Sequence, residues 1–383
     1  MAYSNATLDD QVWKYPVPQQ GKWEKEGMLT VSHQPSHKIH YEVYGNPDGE
    51  PALFFHGGPG ASCSSKDARF FDPDRYRIIL FDQRGCGKSV PTIGTDLEGA
   101  LAGNNTTKLI GDVRTIRKEL GITGKMHMGG GSWGSTLALA VAFDQPENIA
   151  SLTLRGLFLG GKINTDWFNQ KHAAEHNGND ILAFHTNAHP LLIKTWREYV
   201  DFIPPMERED MVKAYHVRLT GNDPVLRNEA ARRLLYLEDA AAFANPDPAL
   251  LPAEDYVDVN PNMPTLEMHY FMNGCFLGGK SGEEAREGDF FMKNIENLAG
   301  IAQINIIHGR NDFVCDVTDA DLFSAALRRI GVDTRLVITD AGHARTEREN
   351  AKAFIDCTDT LPRIEKKSRE IPRTGRVAGM GGG

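Results

Sequence analysis

No run of about 18 apolar residues occurs anywhere in this sequence, which excludes an ordinary membrane-spanning helix. The first residues, Met-Ala-Tyr-Ser-Asn-Ala-Thr-Leu-Asp-Asp, hold neither a basic stretch nor an apolar one, so they do not read as a secretory signal. Cysteine is sparse: Cys63, Cys86, Cys275, Cys315 and Cys357 are odd in number, widely spaced and never arranged C-x-x-C. A disulfide framework or a thiolate zinc site is therefore not expected. Positive charge is also short. The net charge of −9 repels phosphate backbones, so no nucleic-acid partner is expected, and no charge block exceeds a few residues. No H-E-x-x-H or carboxylate–histidine spacing supports a metal among the 13 scattered histidines. Gly85-Cys86-Gly87-Lys88-Ser89 ends like a phosphate-binding loop, but Asp82 stands where the leading glycine is required. These absences leave a soluble cytoplasmic protein, without membrane, metal or cofactor, as the expectation, and its oligomeric state stays open.

What is present is an ordinary globular composition, 40% hydrophobic and 24% charged over 383 residues, enough for one large domain with a second inserted in it. Short apolar runs without period-2 alternation read as strands buried on both faces: 52–55, 76–81, 126–128, 151–154, 303–307 and 334–338. Helical patterns lie between them, as at 107–120 and 136–144, and this alternation predicts a mostly parallel, doubly wound sheet. It stops near 158 and resumes near 296. The interval reads as helical over 190–200, 206–219, 224–242 and 266–276, with a Pro-, Asp- and Asn-rich loop over 243–264. The expected organisation is a core over 1–158 and 296–362, a helical cap over 159–295, and a basic, glycine-rich, disordered tail over 363–383.

Ligands of such sheets bind at the carboxyl ends of the strands. Gly130-Gly131-Ser132-Trp133-Gly134 follows one strand and opens a helix. G-x-S-x-G in that setting is a nucleophile elbow, which makes Ser132 the candidate nucleophile and predicts the α/β-hydrolase fold. Acyl chemistry needs donors aimed at an oxyanion. One is expected from the N–H of Trp133; the other is assigned to Gly58 in His56-Gly57-Gly58-Pro59-Gly60. In this fold the acid and then the base follow the serine in chain order. His343, just after the last strand, is the expected base, and His308 is expected to be a packed strand-end residue. Asp312 is the expected acid, with Asp316 as fallback and Asp340 weaker.

The chain resembles the prolyl aminopeptidases, also named proline iminopeptidases, which are α/β-hydrolase serine peptidases. The resemblance rests on Tyr44-Gly45-Asn46-Pro47-Asp48-Gly49, His56 to Gly60, Phe81-Asp82-Gln83-Arg84-Gly85-Cys86-Gly87-Lys88-Ser89 and Gly130 to Ala140. Leu154-Arg155-Gly156-Leu157-Phe158, Glu267-Met268-His269-Tyr270-Phe271 and the segments around Asp312 and His343 add to it. It implies release of an N-terminal proline or small apolar residue from a peptide through an acyl-enzyme. It also implies that Glu238 and Glu267 bind the substrate's free amine, that Arg155 supports this acidic cluster and that Phe158 lines the first-residue pocket. Leu234 and Leu237 stand where the family usually has tryptophans, Asp239 replaces a glycine, and Ala344-Arg345-Thr346-Glu347 departs from the usual pattern. Insertions stand around 175–190 and near 245–255. An esterase, lactonase or amidase acting on a specialised small molecule is the alternative, and a non-catalytic binding protein on the same scaffold a third reading.

Overall fold

The computed structural model describes residues 13–18, 25–170, 189–246, 259–278 and 290–365. Within them, one sheet of eight strands runs in the order β1-β2-β4-β3-β5-β6-β7-β8. The strands are β1 (Lys25–His33), β2 (Ser36–Gly45), β3 (Glu50–Phe55), β4 (Tyr76–Phe81), β5 (Met126–Ser132), β6 (Ile149–Leu157), β7 (Gln303–Gly309) and β8 (Asp333–Thr339). From β4 to β8 every pairing is parallel, and β1 and β2 add an antiparallel edge. The six apolar runs of the sequence are the cores of β3 to β8. All nine residues of β6 are buried, which is why it reads as a continuous apolar run rather than an alternating one. The β1–β2 hairpin escaped the sequence reading because β1 buries no residue fully and the buried positions of β2 are interleaved with His, Lys and Glu, so neither forms a continuous apolar run.

Helices α1 (Thr106–Glu119) and α2 (Trp133–Asp144) cover one face of the sheet. Buried on nearly every side, α2 has small residues where it meets β3: a Cβ added at Gly134 would stand 2.2 Å from the Phe55 carbonyl oxygen. Between β6 and β7 lie α3 (Lys162–Asn169), α4 (Pro190–Asp201), α5 (Met211–Thr220), α6 (Pro224–Ala242) and α7 (Asn262–Met272). They enclose a core of their own around Trp196, Tyr199, Tyr215, Leu219, Leu237 and Met268. The Tyr199 and Tyr215 rings stack at 4.4 Å, and the Tyr215 hydroxyl donates to the Tyr199 carbonyl at 2.7 Å.

Two boundaries differ from the sequence reading. Pro205–Asp210 is a 3-10 turn, and α5 starts only where the Asp210 side chain accepts the Lys213 N–H at 2.9 Å. Helix α7 begins at Asn262, inside the stretch expected to be loop. Pro264 fits its first turn because N–H groups there have no helical partner to lose. The rest of that loop over 247–258, most of the insertion over 175–190 and the tail from 366 onward lie outside the described residues.

Beyond β7, α8 (Val317–Arg329) returns to the α2 side of the sheet, and α9 (Arg348–Asp359) covers the other face with Phe54, Phe70 and Ile78. Among the described residues no helix is long and apolar enough to cross a membrane.

Candidate active site

Ser132 sits at the last position of β5 with φ 57° and ψ −130°, a conformation that residues with a Cβ rarely adopt. The turn is imposed by its neighbours. A Cβ at Gly130 would lie 2.6 Å from the Gly134 carbonyl oxygen, and one at Gly131 would meet the Arg155 guanidinium at 2.3 Å. The Ser132 side chain does not cap α2; instead the Ser135 hydroxyl donates to the Ser132 carbonyl at 2.6 Å. The Ser132 hydroxyl is thereby left for chemistry, beside the positive end of a helix.

The ends of β7 and β8 bring Asp312 and His343 together, with His343 Nδ1 donating to Asp312 Oδ2 at 2.7 Å. Asp312 Oδ1 accepts the N–H groups of Val314 and Cys315 at 2.9 and 2.8 Å. Burial opposes ionisation of this carboxyl, but the adjacent His343 and His308 outweigh burial and hold it well below the usual carboxylate range. Burial also lowers the His343 pKa, which keeps the imidazole neutral and able to accept a proton.

His308 does more than end a strand. Its Nδ1 accepts the Leu157 N–H at 3.2 Å, which places the ring proton on Nε2, 3.1 Å from the Cys315 carbonyl and 3.3 Å from Asp312 Oδ2. Asp312 therefore lies between two histidines. Asp316 caps α8 through the Thr318 N–H at 2.9 Å, and exposed Asp340 pairs with Arg310 at 2.7 Å; neither meets His343.

Gly156 carried no role in the sequence reading. Its φ is +51°, and a Cβ there would stand 2.8 Å from His343 Cε1 and 2.9 Å from Nδ1. Replacing Gly156 by alanine is expected to displace the imidazole and to strain the backbone. Stability should fall by about 1–2 kcal/mol, and kcat on the order of tenfold, in thermal melts and steady-state kinetics on any accepted substrate. An unchanged kcat would separate His343 from the chemistry.

The donor loop after β3 is locked by Gln83. Its N–H donates to His56 Nε2 and its amide to the His56 carbonyl, both at 3.0 Å, while its Oε1 accepts the Trp133 indole N–H at 2.8 Å. One side chain thus ties the loop to the elbow. Gly57 approaches Ser132 most closely in that loop, since a Cβ there would lie 3.2 Å from the Gly131 carbonyl and 4.0 Å from Ser132 Oγ. Gly58, at φ +105°, makes the reverse turn that follows, and both glycines line the cavity.

That cavity holds Ser132, His343, Arg155, Glu238 and Glu267 on its walls. The two glutamates come from α6 and α7 and are 6% exposed each, and Glu267 Oε2 is buried without a hydrogen-bond partner. Burial raises both pKa values, and the charge of Glu238 adds to the rise at Glu267. The structure places Arg155 differently from the role the resemblance implies. Its guanidinium donates to the His343 carbonyl and lies against Gly131, with no ion pair to either glutamate; burial pushes its pKa down to about 10. Phe158 is not brought to the cavity wall, because its ring packs on Phe271 at 5.5 Å. Leu234 and Leu237 are fully buried in the helical core and line no part of the cavity.

Among the described residues, one group has the spacing of a metal site, Glu26, His40 and Glu42. The Lys88 ammonium lies 3.2 Å from Glu26 and 2.7 Å from Glu42, supplying the positive charge there.

The comparisons with known proteins agree with this fold. A family model described as alpha/beta hydrolase fold matches residues 51–189. A proline iminopeptidase of Xylella fastidiosa is 37% identical over 337 residues, covering 88% of this chain and 96% of that one. The proline iminopeptidase of Arabidopsis thaliana is 35% identical, over 84% of this chain and 75% of its own. The crystal structure of VinJ, 16% identical, covers 88% of this chain and 99% of that one with a TM-score of 0.50, a likeness of fold alone.

Proposed function

This chain belongs to the proline iminopeptidase family, and we propose that it is a serine aminopeptidase releasing an N-terminal proline or small apolar residue from peptides. One observation carries the reading: a buried pair of carboxyls shares a cavity with Ser132 and His343. Such a pair is costly to bury and has no use in simple ester hydrolysis. Ionised, it presents negative charge to a cationic amine. An ammonium group entering the cavity makes charge-assisted hydrogen bonds that no neutral substrate end can make.

In this reading Ser132 Oγ attacks the carbonyl carbon of the first residue as His343 Nε2 takes the hydroxyl proton. Asp312 holds the Nδ1–H tautomer and stabilises the imidazolium without taking the proton. The oxyanion is held by the Trp133 N–H together with an N–H of the His56-Gly57-Gly58 loop, which Gln83 keeps in place. Collapse breaks the C–N bond, and the imidazolium proton goes to the departing amine. Water, deprotonated by the same imidazole, then attacks the ester carbon and returns Ser132 to its hydroxyl form. Arg155, bonded to the His343 carbonyl, positions the base.

A substrate panel tests this. Prolyl and alanyl arylamides with a free amine are expected to be cleaved at least 100-fold faster, as kcat/KM, than the same arylamides with the amine acetylated. That ratio corresponds to about 3 kcal/mol from one charge-assisted contact. Equal cleavage of blocked and free substrates, or hydrolysis confined to acyl esters without an amine, would move the chain to the esterase, lactonase or amidase class.

A further inference from the structure

Arg345, two residues past the candidate base, lies on the wall of the same cavity as Ser132. Its Nε is 2.9 Å from Asp67 Oδ1, and the arginine side chain is 33% exposed while Asp67 is buried. Asp67 Oδ2 is held in turn by the Ser64 N–H at 2.9 Å. The guanidinium is thus anchored from behind by a fixed carboxylate, and its two Nη groups have no hydrogen-bond partner among the described residues. Beside it, the Thr346 hydroxyl is buried without a partner and lines the same wall.

The charges of the cavity are segregated. Arg345 pairs with Asp67, in the turn that follows the donor loop, and has no ion pair with Glu238 or Glu267, which stand on the cavity wall from α6 and α7. One wall therefore attracts a cation and another an anion, with the nucleophile and base in the same space. A dipeptide zwitterion carries these two charges about 7 Å apart, on either side of its single peptide bond.

We propose that Arg345, with Thr346 beside it, binds a carboxylate on the residue behind the scissile bond, so that the preferred substrates are dipeptides with a free carboxyl end. A guanidinium already held by one carboxylate presents its outer edge to a second, as planar bidentate recognition requires. The inference rests on the aminopeptidase reading and names its leaving group.

The test compares kcat/KM of the full chain for prolyl-alanine, prolyl-alaninamide and prolyl-glutamyl amide, which carry an α-carboxylate, none, and a side-chain carboxylate. The native protein is expected to favour prolyl-alanine over its amide by about tenfold, mostly through KM, the effect of one charge-assisted contact. In the double variant Asp67→Asn/Arg345→Gln, which leaves no unpaired buried carboxylate, this ratio should fall to about one. A ratio taken within one protein preparation is insensitive to partial loss of fold. Equal rates on prolyl-alanine and its amide in the native protein, or a preference that survives the double variant, would overturn the proposal. Preference for prolyl-glutamyl amide would overturn the dipeptide assignment while keeping Arg345 as the carboxylate site. Cleavage of acyl esters with none of the three prolyl substrates touched is a different failure, that of the aminopeptidase reading.

Discussion

Replacing Ser132 by glycine is expected to abolish hydrolysis and, in the same protein, to raise its thermal stability. The two effects have separate causes at one residue. Loss of the nucleophile removes the acyl-enzyme route, and in serine hydrolases that loss is on the order of a millionfold in kcat. Ser132 holds φ 57° and ψ −130°, where its Cβ crowds the backbone. Such a conformation costs about 1–3 kcal/mol for a residue with a side chain. Glycine adopts it freely but gains entropy in the unfolded chain, which returns about 0.4–1 kcal/mol. The net expectation is a gain of about 1 kcal/mol, read as a rise of about 1–2 °C in Tm for a chain of this size. Ser132→Ala is the control: it keeps the Cβ, so activity should be lost equally while Tm scarcely moves. The difference between the two variants isolates backbone strain from lost chemistry. Residual turnover in either variant above that of a mock preparation would remove Ser132 from the nucleophile's place.

The elbow was legible because its requirements are local. A strand, two glycines and a helix within about ten residues dictate that turn, and the strand ends that carry Asp312 and His343 follow the same grammar. The parts that escaped depend on chain segments meeting from far apart. Gly156 matters because the His343 ring lies against it, and His308 matters because Leu157, 151 positions away, fixes its tautomer. Nothing near either residue in sequence announces this. Gln83 could be seen only as part of a motif until the structure put His56 and Trp133 on its opposite ends. The helical region shows the reverse limit. Leu234 and Leu237 draw attention as departures from a family pattern, yet both turn into the helical core and leave the cavity wall to Glu238, Ala242 and Glu267. A residue's place on α6 was readable; which side of α6 faces the nucleophile was not.

That face sets up the second large effect, Glu238→Gln. In the free protein burial raises both pKa values of the pair, and Glu238 stands on the cavity wall, where its negative charge would meet the substrate amine. Glutamine at 238 retains shape and hydrogen bonding but removes that charge, and kcat/KM for a prolyl arylamide should fall by at least about 100-fold, some 3 kcal/mol. Hydrolysis of an acyl ester without an amine should stay within about twofold, since the change leaves Ser132 and His343 alone. Glu267→Gln should be equally selective, since it too removes a carboxyl from the amine end of the cavity. The two variants also differ from the native protein in stability against pH. A carboxyl whose folded pKa is raised stabilises the fold below its unfolded value, near pH 4.3, and loses that contribution as pH rises toward the folded value. The native protein should therefore lose stability from about pH 4.3 upward on account of this pair, and Glu267→Gln, which cannot ionise, should lose less over the same range. Urea unfolding of the two proteins at acidic and mildly alkaline pH reads the difference directly. Parallel pH profiles, or equal losses on amine and ester substrates, would separate the pair from amine recognition and leave its burial without a function.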